Sequence, residues 1–170
     1  MKVINLFAGP GAGKSTTAAA LFASMKRAGH KVELVTEYAK ELTWDGRANV
    51  LEDSLYVLAK QNRKLSRLAG QVDYVVTDSP LPISLAYGYG AGKVPWFEDA
   101  VISLFGNYDN VNFKLERVKP YSKYGRSQSE AEAKVLDKDI EGILVKHKLP
   151  YTAVIGDDFA DKVIYSRIFK

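Results

Sequence analysis

Apolar and polar positions alternate along this chain between two rhythms. Five short runs, 2–7, 31–36, 72–77, 110–116 and 151–155, are rich in aliphatic and β-branched residues and read as strands. The first, third and fifth are nearly unbroken in such residues, the pattern of parallel strands covered on both faces. Between the runs the spacing changes to that of helices. Residues 14–28 place Ala18, Leu21, Phe22 and Met25 on one face and stop at Gly29. Residues 51–68 repeat leucine at 51, 55, 58, 65 and 68 and end at Gly70, and a shorter helix over 96–104 follows Pro95. Residues 127–146 open on a possible capping box from Ser127 to Glu130, with Val135, Ile140, Ile143 and Leu144 inward. A last helix covers 157–169.

Strands and helices alternating at this interval predict an α/β fold with a five-stranded parallel sheet flanked by helices on both faces. The pattern contains no linker, repeat or low-complexity tract, so residues 1–170 are expected to form one domain. No apolar stretch reaches the roughly 20 residues that span a bilayer. The run 3–8 passes directly into glycines rather than into a cleavage site, so a cytoplasmic protein is expected.

The turn between the first strand and first helix carries the chemistry. Residues 8–15 read Ala-Gly-Pro-Gly-Ala-Gly-Lys-Ser, a P-loop with Ala8 in the first glycine position. Gly9, Gly11 and Gly13 permit a tight turn whose N–H groups face phosphate oxygens, and Pro10 and Ala12 complete the loop. A helix starting at Lys14 adds its positive N-terminal end. Lys14 is positioned for the β and γ phosphates, Ser15 for Mg²⁺, and Thr16 for the phosphate end of the same site. The expected fold is therefore that of P-loop NTPases, and the expected ligands are ATP and Mg²⁺.

Composition narrows the class further. There are no cysteines and only two histidines, His30 and His147, which removes disulfides and thiolate zinc and leaves a hard ion on oxygen ligands. A GTPase would carry an Asn-Lys-x-Asp base-recognition motif, and none is present. Motor ATPases need more chain than 170 residues provide, whereas a small kinase fits.

Three segments bear on that choice. Glu37 follows the second strand, at the sheet edge where ligands bind, and is placed either to accept a proton from an attacking hydroxyl or simply to open a surface helix. Asp78, after the third strand, has the position of an acid supporting Mg²⁺, and of a helix N-cap. The stretch 114–126 holds Lys114, Arg117, Lys119, Lys123 and Arg126, with Gly125 as a hinge. It reads as a lid over about 117–128, or as a solvated basic loop. Residues 80–108 fall on the acceptor side, where Lys93 is either a substrate contact or a loop charge.

With these segments in place, the chain resembles the deoxynucleoside-kinase and nicotinamide-riboside-kinase group of P-loop kinases. The likeness rests on the P-loop, on Glu37-Tyr38-Ala39 followed by Trp44, on Gln61 midway along the next helix, and on Tyr-Gly-Arg-Ser ending at Ser127. It implies that Gln61 reads a base and that Arg117 and Arg126 are lid arginines. The chain has Asp78-Ser79-Pro80 where deoxynucleoside kinases commonly carry Glu-Arg-Ser. The pattern most resembles compact bacteriophage kinases, including 5-hydroxymethyluracil DNA kinases. That likeness implies a host-cytoplasmic enzyme phosphorylating a modified pyrimidine in DNA; a free nucleoside, nucleotide or nicotinamide riboside is the alternative acceptor. A nucleotide-binding regulatory module with slow ATP hydrolysis is a third reading.

The net charge of +4 and the basic Lys60, Arg63, Lys64 and Arg67 suit a polyanion, or else form a solvated helix face. An extruded base would find stacking partners in Tyr38, Trp44 and Tyr56, unless these pack in the core.

Overall fold

The computed structural model describes residues 1–87, 94–124 and 128–170. Five strands, β1 (Lys2–Phe7), β2 (Val32–Val35), β3 (Tyr74–Thr77), β4 (Asp109–Glu116) and β5 (Thr152–Ile155), form one sheet in the order β2-β3-β1-β4-β5. All four pairings are parallel. The central β1 explains the layering. Its Val3 and Phe7 face one apolar cluster while Ile4 and Leu6 face another, so the two-residue period of the strand is buried on both sides. The single polar break, Asn5, is 1% exposed and satisfied: its amide donates to Asn110 Oδ1 at 2.9 Å and Asn112 Oδ1 at 3.0 Å.

Helix α1 (Lys14–Arg27) covers one face with Ala18, Leu21 and Met25, alongside the final helix α8 (Ala160–Ile168). The other face is covered by α4 (Ser54–Ser66), α6 (Pro95–Gly106) and α7 (Glu130–Lys146) through Leu58, Leu65, Phe97, Val101, Ile140 and Leu144. Each of these fully buried side chains contributes about 1.5–3 kcal/mol. The short helices α2 (Tyr38–Trp44) and α3 (Ala48–Leu51), a 3₁₀ turn (Leu81–Ile83) and α5 (Ser84–Tyr87) gather near the C-terminal edge of the sheet. Among the described residues no helix is long and apolar enough to cross a membrane.

Local chemistry moved several predicted boundaries. The helix expected over 51–68 starts at Ser54, because the Asp53 side chain accepts the Tyr56 N–H at 2.9 Å and caps it there. Leu55 consequently turns outward at 47% exposure. Helix α7 is capped by Ser129 and Glu132, which satisfy each other's backbone N–H groups. The Ser127–Glu130 box is thus displaced by two residues, with Glu130 as the first helical residue, and Ser127 lies outside the described residues. Val135, expected inward, is 57% exposed; the buried stripe runs through Ala133, Ile140 and Leu144.

Candidate active site

The P-loop joins the end of β1 to the start of α1. Gly11 (φ 80°) and Gly13 (φ 96°) take left-handed conformations that a side chain would strain. Helix α1 has no acidic residue in its first turn, so the positive end of its dipole is uncompensated where the loop delivers it. The Lys14 ammonium bends back over the loop and donates to Ala8 O at 2.7 Å and Gly9 O at 3.0 Å. Ser15 and Thr16 face outward at the helix start, beside the cavity described below.

Two carboxylates converge on this lysine from neighbouring strands. Glu37 is the N-cap residue of α2, in extended conformation just beyond β2, and so both opens a helix and faces the loop. Asp78 follows β3 and is 4% exposed. Burial pulls the Lys14 ammonium below its ordinary range, while the charges of Glu37, Asp78 and Asp137 oppose the shift. Burial likewise pushes the Glu37 carboxyl above its ordinary range; Lys14 opposes this and Asp78 reinforces it. Among the described residues Asp78 Oδ1 is a buried oxygen without a hydrogen-bond partner. A buried, unpaired carboxylate oxygen beside a phosphate-type loop is suited to a cation or its water shell. Together with the Ser15 hydroxyl it makes an oxygen donor set that fits magnesium carried on a triphosphate.

The basic stretch after β4 reaches the loop through one arginine. Arg117 Nε donates to Asp137 Oδ2 at 2.8 Å and Nη2 donates to Pro10 O at 2.9 Å. Asp137, from α7, also accepts the Gly9 N–H at 2.6 Å. The ring of Tyr121 lies against Gly11, 2.9 Å from where a Cβ would stand, and its hydroxyl donates to Gln128 O. Lys119 pairs with Asp158 and Lys114 with Glu141, so these two cations serve the structure of the stretch. Arg126, Gly125 and, on the acceptor side, Lys93 lie outside the described residues.

A cavity of about 330 Å³ opens from the P-loop toward α3, α4 and the 3₁₀ turn. Lys14, Ser15 and Glu37 stand at one end; Leu58, Leu81 and Ile83 supply apolar wall, and Ser54, Gln61, Ser84 and Tyr87 polar groups. Gln61 lines it but is turned to the backbone: Oε1 accepts the Tyr38 N–H at 2.9 Å, and Nε2 lies 3.4 Å from Thr36 O. These contacts grip the chain on both sides of Glu37. Tyr38 and Tyr56 meet each other through their hydroxyls at 3.2 Å, away from the cavity lining. Trp44 is 61% exposed and stands beside Tyr124, their ring centroids 6.2 Å apart. Tyr124 itself lines the cavity. Ser54, Ser84 and Tyr87 carry no local motif and enter the site only through the packing of α4, the 3₁₀ turn and α5. Asp137 does have a signal: it interrupts the inward stripe Ala133–Ile140–Leu144 of α7 at helical spacing.

The family model described as AAA domain matches residues 3–162. No curated protein matches the chain. Among solved structures, the chain is similar to deoxyadenosine kinase from M. mycoides with bound dATP, at TM-score 0.56 and 18% identity over 98% of this chain and 99% of that one. The same enzyme with dCMP and a flexible dCDP bound gives TM-score 0.59 and 18% identity, over 99% of each chain. NadR protein in complex with NR gives TM-score 0.75 and 14% identity, over 97% of this chain but 51% of that one. At these identities the likeness is one of fold.

Proposed function

The chain belongs to the AAA-domain family, and from that premise we propose that it is an ATP-dependent kinase acting on a hydroxyl of a nucleoside or deoxynucleotide unit. One observation carries the reading: Lys14, Ser15 and Glu37 occupy one end of a cavity large enough for a second substrate. A module that only bound or slowly hydrolysed ATP would have no use for a walled second compartment next to its phosphate loop. The similar structures hold dATP, dCMP with dCDP, and NR, which supports a nucleoside-type acceptor.

In this mechanism the P-loop backbone and Lys14 hold the β and γ phosphates, and the acceptor hydroxyl enters from the cavity. Glu37 takes the hydroxyl proton as the oxygen–phosphorus bond forms and the bond from the γ-phosphorus to ADP breaks. Its raised carboxyl pKa, caused first by burial, makes it a better proton acceptor than an exposed glutamate. Asp78 and Ser15 would hold magnesium, which when bound would neutralise charge on the triphosphate. Arg117, beside the loop, offsets charge on the transferred group, and Arg126 is proposed as its partner from the lid at about 117–128.

Gln61, Tyr38, Trp44 and Tyr56 remain candidates for the acceptor side, Gln61 from within the cavity and the aromatics from its surroundings. A second reading names the acceptor as the 5-hydroxymethyl group of 5-hydroxymethyluracil in DNA. It is favoured by Lys60 and Arg63, exposed on α4, and by Arg67 at its C-cap, spaced to face backbone phosphates. Radiolabelled ATP offered with free nucleosides, with hydroxymethyluracil DNA, and alone separates the readings. Label in nucleosides supports the first and label only in DNA the second. Phosphate release indifferent to either acceptor would remove the kinase assignment.

A further inference from the structure

We propose that Asp137 is a positioning residue of the donor site, holding the Arg117 guanidinium in a fixed orientation over the P-loop. Resting on the donor half of the function proposed above, this inference assigns a role to a residue of α7 that belongs to neither the P-loop nor the basic stretch.

The geometry is that of a three-way tie. One oxygen of Asp137 accepts the Gly9 N–H at 2.6 Å; the other accepts Arg117 Nε at 2.8 Å. Arg117 Nη2 then closes the ring by donating to Pro10 O at 2.9 Å. Two of the three nitrogens of the guanidinium are thereby fixed, and its plane with them. The third, Nη1, is buried and has no hydrogen-bond partner among the described residues. It lies 3.3 Å from where a Cβ would stand on Gly11, at the turn of the phosphate loop.

An unpartnered guanidinium nitrogen in a buried place is costly unless an anion completes it. Here the nearest part of the fold is a loop built for phosphate, so the polyphosphate of the donor is the anion that Nη1 meets. Asp137 contributes in two ways. Its charge keeps the arginine side chain ordered before the nucleotide arrives, reducing the entropy lost on binding. Its bond to Gly9 ties the same loop to the same helix, so loop and guanidinium move as one unit. The side chain acts on the donor through Arg117 and Gly9 rather than by contact of its own.

Substitution to asparagine separates the two contacts. An asparagine carbonyl can still accept the Gly9 N–H, but its amide then faces Arg117 Nε donor to donor. The test is a double-mutant cycle on the full chain, with the affinity for the magnesium complex of a non-hydrolysable ATP analogue read by calorimetry. Asp137→Asn and Arg117→Gln should each weaken binding by about tenfold, within the range of coupled neighbours in one network. The double variant should lose no more than about twofold beyond the worse single. Melting of the ligand-free variants checks that each is folded; if Asp137→Asn is not, Asp137→Ser, which likewise removes the charge facing Arg117, carries the same cycle. Wild-type affinity in the folded Asp137 variant, or losses that multiply in the double variant, would overturn the assignment. Failure of the unaltered protein to bind the analogue would instead strike the donor site itself.

Discussion

Gly9→Ala tests whether the phosphate loop is held in place by contact with α7. A Cβ on Gly9 would stand 2.6 Å from Ala133 O and 2.9 Å from Asp137 Oδ1. The first of these is helix backbone, which cannot rotate away. Ordinary contact requires the loop to retreat by about 0.8 Å or more, and a forced fit of this kind costs about 1–3 kcal/mol. For a chain of this size that corresponds to a fall in Tm of about 2–12 °C. The same retreat lengthens the Gly9–Asp137 hydrogen bond and moves N–H groups that must match phosphate oxygens within about 0.5 Å. Affinity for MgATP should therefore drop by about tenfold or more, since misplacement near 1 Å commonly costs about a hundredfold. Gly142→Ala is the matched control. That glycine lies within α7, has nothing within 4 Å of where a Cβ would stand, and should gain about 0.5–1 kcal/mol from helix propensity. Melting curves and calorimetric titration measure both effects. A Gly9→Ala protein with unchanged Tm and unchanged nucleotide affinity would refute the argument.

Further outcomes are expected at three residues. Glu37→Gln should keep MgATP binding within about threefold yet lower phosphoryl transfer by about 100-fold or more, a general base contributing about 10²–10⁴; substantial retained turnover would remove Glu37 from that role. Because burial raises the Glu37 carboxyl, the acidic limb of kcat/KM should lie above the ordinary carboxylate range and vanish in Glu37→Gln. The linked stability has the matching sign: a carboxyl with a raised folded pKa favours the fold below its unfolded value and loses that contribution as pH rises through the folded one. Ligand-free Glu37→Gln should then lose less stability than the unaltered protein between acid and neutral pH, as denaturant melts across that range would show. Asp78→Asn, which replaces the partnerless Oδ1 with a neutral group, should raise the magnesium concentration needed for half-maximal activity by about tenfold; an unchanged magnesium titration would count against it. Ser129→Ala should cost about 1 kcal/mol through loss of the α7 cap, visible as a lower Tm; no change would mean that Glu132 alone suffices.

What the sequence settled by itself was what is local. The P-loop is readable at 8–15 because a tight turn, a helix start and an ammonium fall within one segment. Apolar runs likewise announced the five strands, but burial on both faces, expected for the fifth as well, fails there: β5 lies at the sheet edge with Thr152, Ala153 and Ile155 exposed. The placement of Glu37 and Asp78 beside the loop was legible for a related reason: each closely follows a strand, and parallel strands bring their C-terminal ends to one edge. Helix ends were less legible. Asp53 starts α4 three residues beyond the expected position, and Ser129 takes the cap expected at Ser127, choices that depend on which turn can pack.

Tertiary structure alone decided the partners. Asp137 is 128 residues from Gly9 in sequence, and only the docking of α7 beside β1 makes them neighbours. Gln61 has the spacing of a residue free to meet a ligand, yet the approach of α4 to the end of β2 commits its amide to the backbone around Glu37. Tyr38 and Tyr56 have the composition of a stacking platform, but the angle between α2 and α4 turns them toward each other. Side-chain chemistry is written residue by residue. Which two side chains meet is set by how helices seat on the sheet, and that is a property of the packed core as a whole.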